Sequence, residues 1–303
     1  MSSVPPSLRV QVVLYEPSSP ELARLLRGVA AAARVARRSE IVSSVTLALG
    51  DCSAVPLPTE EVERARGLTS GHVDAFSYRH FGENLGSGGG HNALFEECDS
   101  DLVFVTNPDT YFAPDLFAPL VACVADPSVG IAEARQLPLE HPKRYDVATG
   151  DVSWASGACM LLRASTYREL RGFDADTFFL YCDDVDLSWR ARLSGSRVVY
   201  VPRARVFHDK RLTRESTVEA GPAERYYSAE AALLMAWKWS RPDLVEAWSR
   251  DLLAAGDTDG VRAVTAFTER RTAGRLPTPL DADGAIATFV GRDYSRSQFF
   301  YYD

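Results

Sequence analysis

Two rhythms of apolar and polar residues alternate along the first half of the chain. Val10 to Tyr15 is a run dominated by apolar residues, as expected of a buried parallel strand. Ser19-Pro20-Glu21 follows with helix-start chemistry: a capping serine, proline in the first turn and an acid beside the positive end of the dipole. Leu22, Leu25, Leu26, Val29 and Ala33 then fall on one helical face. Further strands are predicted over Ile41–Leu49, Val73–Tyr78 and Asp101–Thr106, with a short helix over Asn92–Cys98. Strands alternating with helices imply a mostly parallel sheet covered on both faces. Ligands in such sheets bind at the carboxyl ends of the strands, so functional residues are expected just after them.

The second half reads differently. A strand is predicted over Ala158–Arg163, then a short helix closing at Gly172. Val185, Trp189 and Leu193 mark a helix from about Asp184 to Ser194, stopped by Gly195. Arg197–Val201 reads as a strand ended by Pro202. From Pro222 the pattern is helical, over Ala229–Trp239, Pro242–Ala255 and Gly260–Arg271. The organisation expected is an α/β domain over 1–215 and a helical region over 216–303, without repeats or low-complexity tracts.

Composition narrows the classes. The chain has 303 residues and a net charge of −8. That acidity disfavours nucleic-acid binding, which needs a surplus of Lys and Arg facing phosphate. Five cysteines without C-x-x-C spacing argue against a disulfide framework or a zinc site and fit a reduced, cytoplasmic setting. No apolar run approaches the roughly 20 residues a membrane span requires.

Three patches carry candidate chemistry. Asn84-Leu85-Gly86-Ser87-Gly88-Gly89-Gly90-His91-Asn92 lets backbone approach a phosphate or sugar closely, but fits neither G-x-G-x-x-G nor a P-loop. By composition it is equally a flexible loop between strand and helix. Asn107-Pro108-Asp109 ends a strand; its acid suits a hard cation such as Mn²⁺ or Mg²⁺, though the tripeptide is also good turn chemistry. Asp183, Asp184 and Asp186 crowd the start of a helix behind the aromatic run Phe178-Phe179-Leu180-Tyr181. One cap needs one acid, so the other carboxylates are candidates for a tuned general base. His208 follows a strand 24 positions after Asp184; a lone histidine is more often structural than a ligand.

Four blocks, 84–92, 106–110, 156–163 and 178–208, together resemble family 2 glycosyltransferases of the GT-A fold, in particular rhamnosyltransferase-like and galactofuranosyltransferase-like members. The resemblance spans roughly residues 8–210. It implies a Rossmann-like GT-A domain and an inverting transfer from a dTDP- or UDP-sugar to a glycan, lipid-linked or small-molecule acceptor. It also implies roles for individual residues. Asp184 is the catalytic base. Asp109 and His208 hold Mn²⁺ or Mg²⁺. Asp51, Asn84, Gly86, Asn92 and Asn107 meet the donor, and Asp183, Gly157 and Ala158 line the sugar and acceptor side. Trp154 is a candidate platform for a sugar ring or, equally, a core tryptophan. The chain departs from the family at Gly50-Asp51-Cys52-Ser53, where more acids are usual. Two further departures are Asp183 in place of Glu and Asn107 in place of the first metal-motif acid, which leaves fewer charged ligands.

The C-terminal helices are expected to cover the acceptor side, form a homo-oligomer interface or rest on a membrane surface. The tail Phe299-Phe300-Tyr301-Tyr302 is expected to dock on its own chain or a partner subunit. A non-catalytic nucleotide-sugar binding module on the same fold is the alternative. A sugar nucleotidyltransferase ranks low, because residues 14–20 contain neither Gly nor Lys.

Overall fold

The computed structural model describes residues 4–209 and 222–298. The 215/216 boundary and the aromatic tail 299–302 lie outside them. The first strand, β1 (Ser7–Leu14), buries Leu8, Val10, Val12 and Leu14 on one side. Helix α1 (Ser19–Arg38) packs there through Leu22, Leu25, Leu26 and Val29, as the periodicity predicts. Its cap is Ser18, one residue before the expected position; the hydroxyl accepts from the Glu21 N–H at 3.4 Å. β2 (Ser44–Asp51) and β3 (Ala75–His80) extend the sheet in parallel, with α2 (Thr59–Thr69) between them in sequence.

The run 86–90 is helical rather than a loop: α3 spans Gly86–Phe95. The reason is clearance. A Cβ on Gly90 would press on Val13 of β1 at 2.8 Å, and one on Gly86 (φ +71°) would collide with the Phe179 carbonyl. Glycine here seats a helix against its neighbours, which outweighs its poor helix propensity.

β4 (Leu102–Thr106) pairs parallel to β1 on the side opposite β2. Beyond it the sheet is mixed. β5 (Thr110–Phe112), α4 (Phe117–Val124), β6 (Val129–Leu137), β7 (Cys159–Arg163), α5 (Ala164–Glu169), α6 (Asp183–Leu193) and β8 (Arg197–His208) follow in sequence. The eight-stranded order is β3-β2-β1-β4-β7-β6-β8-β5, with β7 antiparallel to β4 and β6, and β5 antiparallel to β8. β8 does not stop at Pro202. A register irregularity against β6 between Ala134 and Arg135 absorbs the proline, and the strand continues to His208. That extension places His208 opposite Thr110 of β5.

Helices α7 (Pro222–Lys238), α8 (Pro242–Ala255) and α9 (Thr258–Thr272) follow, and a non-helical segment runs on through the described residues to Gln298. Trp239, Trp248, Phe267 and Leu234 form one apolar cluster with Trp154, Phe178, Val185 and Trp189 of the α/β part. No helix among the described residues is long and apolar enough to cross a membrane.

Candidate active site

The strand switch falls between β1 and β4, whose neighbours lie on opposite sides, and Asn107 and Asp109 follow directly on the carboxyl end of β4. There the turn 107–109 is tied by hydroxyls. Thr106 Oγ1 donates to the Ala158 carbonyl at 2.9 Å, and Thr110 Oγ1 donates to the Asn107 carbonyl at 2.8 Å. The Asp109 carbonyl accepts from the Asp209 N–H, fastening the start of β5 to the end of β8.

Asp109 and His208 therefore meet. Nε2 lies 3.2 Å from Asp109 Oδ1, and Nδ1 lies 2.8 Å from Gln136 Oε1 on β6. A neutral ring that donates from Nδ1 to the Gln136 oxygen would present its Nε2 lone pair to Asp109. Asp109 Oδ1 is buried without a hydrogen-bond partner, although the imidazole is close. The distance is short but the geometry is not that of a hydrogen bond. Two lone-pair atoms facing each other this way fit a shared cation. Among the described residues no cluster of three or more His, Cys, Asp or Glu forms a metal site, so Asp109 and His208 alone would not complete a cation's ligand set. Both residues line a cleft of about 390 Å³ with Glu21, Arg24, Tyr111 and Phe207.

The acidic triplet separates into three environments. Tyr181 and Cys182 both adopt positive φ (65° and 59°), an uncommon pair of left-handed residues that turns the chain sharply into α6. Asp184, partly exposed, accepts from the Gly157 N–H at 2.9 Å through Oδ2 and from the Val185 N–H at 2.8 Å through Oδ1. Burial raises its pKa, and those N–H groups with the Lys143 charge oppose the rise. Asp183 is buried and turned toward α3, where a Cβ on Gly88 would stand 3.3 Å from its Oδ2; desolvation, then the Asp184 charge, push its pKa well up. Asp186 is fully buried and structural. It meets Arg190 Nε and Lys238 Nζ at 2.7 Å each and accepts from Trp239 Nε1 at 3.1 Å.

Gly157 and Ala158 link the two chemistries: the Gly157 N–H holds Asp184, and the adjacent Ala158 carbonyl holds Thr106. Asp184 does not line the Asp109–His208 cleft itself. Asp51, at the end of β2, is fully buried and accepts from the Ser53 N–H and the Tyr78 hydroxyl. Asn84 accepts from the Gly86 N–H at 3.0 Å, shaping the entry to α3. The Asn92 side chain is engaged within the protein. Its amide donates to the Phe173 carbonyl and accepts from the Phe173 N–H and the Tyr167 hydroxyl, clamping the loop after α5. Trp154 is buried, with Lys143 Nζ 3.9 Å from its ring centroid.

Sequence reasoning missed Gln136, Glu133 and Lys143. Glu133, on β6, takes both oxygens to Lys143 Nζ at 2.7 Å and accepts from the Ser156 N–H. Its only sequence signal was a charged residue inside an apolar stretch, Val129–Ala134.

Comparison with known proteins agrees with this architecture. A mannosyltransferase from Pyrobaculum calidifontis, solved with GDP-Man and Mn²⁺, superposes with a TM-score of 0.60 at 17 % identity, covering 93 % of this chain and 84 % of that one. GalNAc-T7, solved with UDP, GalNAc and Mn²⁺, also gives 0.60, at 13 % identity, covering 90 % of this chain and 56 % of that one. The chain shares the fold of these glycosyltransferases, and a short stretch of it is similar in sequence to rhamnosyltransferases. Its sequence is 41 % identical over 68 residues to the N-acetylglucosaminyl-diphospho-decaprenol L-rhamnosyltransferase of Mycobacterium tuberculosis, 22 % of each chain. It is 39 % identical over 67 residues to rhamnosyltransferase WbbL of Escherichia coli, 22 % of this chain and 25 % of that one. The pre-mycofactocin glycosyltransferase of M. tuberculosis matches at 26 % over 207 residues, 62 % of this chain and 42 % of the relative. These matches thus span less than half the length of each curated relative. No protein-family model matches the chain.

Proposed function

We propose that the chain is an inverting glycosyltransferase that moves a sugar, such as rhamnose, from a dTDP- or UDP-sugar to an acceptor hydroxyl. The observation that carries the proposal is the Gly157–Ala158 step, which binds a candidate base on one side and the candidate metal turn on the other. Asp109 and His208 would hold a divalent cation, with Gln136 fixing the imidazole tautomer. When bound, the cation supplies charge neutralisation to the leaving diphosphate.

Asp184 takes the proton of the acceptor hydroxyl as that oxygen bonds to the anomeric carbon. The carbon–oxygen bond to the diphosphate breaks in the same displacement, leaving a nucleoside diphosphate and inverting the anomeric centre. A carboxylate raised by burial is a stronger base than a free one, and the Gly157 and Val185 N–H groups keep it oriented. Domains over 1–215 and 216–303 belong to this reading, with the helices on the acceptor side. A lipid-linked acceptor would bring peripheral membrane contact.

The test is donor turnover with a panel of dTDP- and UDP-sugars with and without Mn²⁺. Asp184→Asn is expected to bind donor as wild type does and to lose transfer by at least ~100-fold. Near-normal turnover in that variant, or a product with retained configuration, refutes the assignment. Donor binding without turnover in the wild type would instead favour a binding module.

A further inference from the structure

The buried pair Lys143–Glu133 lies beside the candidate base without touching it. Lys143 Nζ contacts both Glu133 oxygens at 2.7 Å, donates to the Trp154 carbonyl at 2.9 Å and covers the Trp154 ring. The two side chains are 9 % and 3 % exposed, so the pair is almost fully withdrawn from water. Successive backbone N–H groups then divide between two carboxylates: Ser156 donates to Glu133 at 2.9 Å, Gly157 to Asp184 at 2.9 Å. The peptide that holds the base is thus held by the ion pair. Lys143 is in turn fixed by the far end of the chain. It bridges Ser297, while the Arg144 N–H donates to the Arg296 carbonyl and the Gln298 N–H to the Pro142 carbonyl.

We propose that Lys143 and Glu133 are positioning residues that set the orientation and charge of Asp184, through the Ser156–Gly157 peptide and through the field of an incompletely cancelled buried ion pair. The inference rests on the Asp184 base reading for its catalytic meaning. Several other groups face Asp184. They are Asp183 on its own helix, Cys182 before it, Tyr294 from the C-terminal segment and Glu133 from β6, with Asp186 acting on Asp183 and Cys182. Asp186 is already matched by Arg190 and Lys238. Lys143 is the cation that acts directly on Asp184. Removing it takes that attraction away from Asp184. Removing the Glu133 charge leaves an uncompensated cation instead. The two changes must therefore move Asp184 in opposite senses, which a merely structural salt bridge would not do.

The experiment is a carboxyl ¹³C NMR titration of the full chain, with Asp184 assigned by the resonance lost in Asp184→Asn. Lys143→Met is expected to raise the Asp184 midpoint by about one pH unit and Glu133→Gln to lower it by a similar amount, as expected for gain or loss of one nearby charge. Lys143→Arg, which keeps the charge, is expected to leave it in place. Should Lys143→Met fail to fold, Glu133→Gln alone decides by the sign of its shift. Midpoints that stay put, or that move the same way in both variants, overturn the proposal. The titration reads a carboxyl and not turnover, so it stands apart from the kinetics of Asp184→Asn that decide the base. With active enzyme, the acid limb of kcat/KM follows the same shifts.

Discussion

Replacing Asp186 by Asn isolates what one member of the acidic triplet does for the fold. The change keeps side-chain volume and removes a fully buried charge that faces Arg190 Nε and Lys238 Nζ at 2.7 Å. Neither cation is stranded entirely. Lys238 keeps Asp174 at 2.6 Å, and Arg190 keeps the Leu170 and Gly172 carbonyls. Breaking a buried pair from one side typically removes about 3–5 kcal/mol, and these residual partners place the loss near about 3. An unfolding entropy of about 2.1 cal/mol/K per residue gives roughly 0.64 kcal/mol/K for a chain of this length, so the melting temperature should fall by about 5 °C. Tryptophan fluorescence is a suitable reporter, since Trp189 and Trp239 lie 5.2 Å apart, centroid to centroid, at this junction. A shift below about 1 °C would show that Asp186 does not anchor α7 to α6 and would sink the division of labour among the three acids.

Other perturbations follow from the same geometry. Asp183→Asn should stabilise the fold at neutral pH. A carboxyl whose folded pKa is raised favours folding only while protonated, so the wild-type penalty develops as pH rises from about 4 through the folded value. Melting curves of both proteins from acid to neutral pH check this, and a gain independent of pH would refute the cause. Gln136→Leu should weaken Mn²⁺ binding about tenfold in isothermal titration by releasing the His208 ring, with no direct ligand lost. Gly86→Ala should lower stability by more than ~1 kcal/mol in urea unfolding, because positive φ and the Phe179 carbonyl both oppose a Cβ.

Much of the first half was legible because its strands and helices carry clean periods: β1, α1 and β4 are placed within a few residues by apolar spacing alone. β6 was not, because Glu133 and Arg135 interrupt a stretch that is otherwise buried. Only a lysine ten residues onward makes an acid tolerable there, and its approach depends on a loop no local rule describes. The glycine run was legible as a close-approach segment but not as a helix, since its helicity depends on Val13, Phe173 and Phe179 pressing from three sides. The acidic cluster was singled out by pattern, whereas Asp109 and His208 were assigned only by the family resemblance; the fold adds that Asp109 and His208 are neighbours and that Asp184 is linked through Gly157 and Ala158 to Thr106, at the start of the Asp109 turn.

The pairing of residues 142–145 with 296–298 also bears on biosynthesis. Lys143 leaves the ribosome 154 residues ahead of Ser297, a delay of roughly 8–30 s at ~5–20 residues per second. During that interval the nascent sheet can assemble while the loop around Lys143 still lacks its clasp. The native arrangement around Trp154 should therefore form only once residues 296–298 have emerged, and ribosome-bound chains halted before residue 296 should resist proteolysis through β1–β4 yet be cut near 141–146.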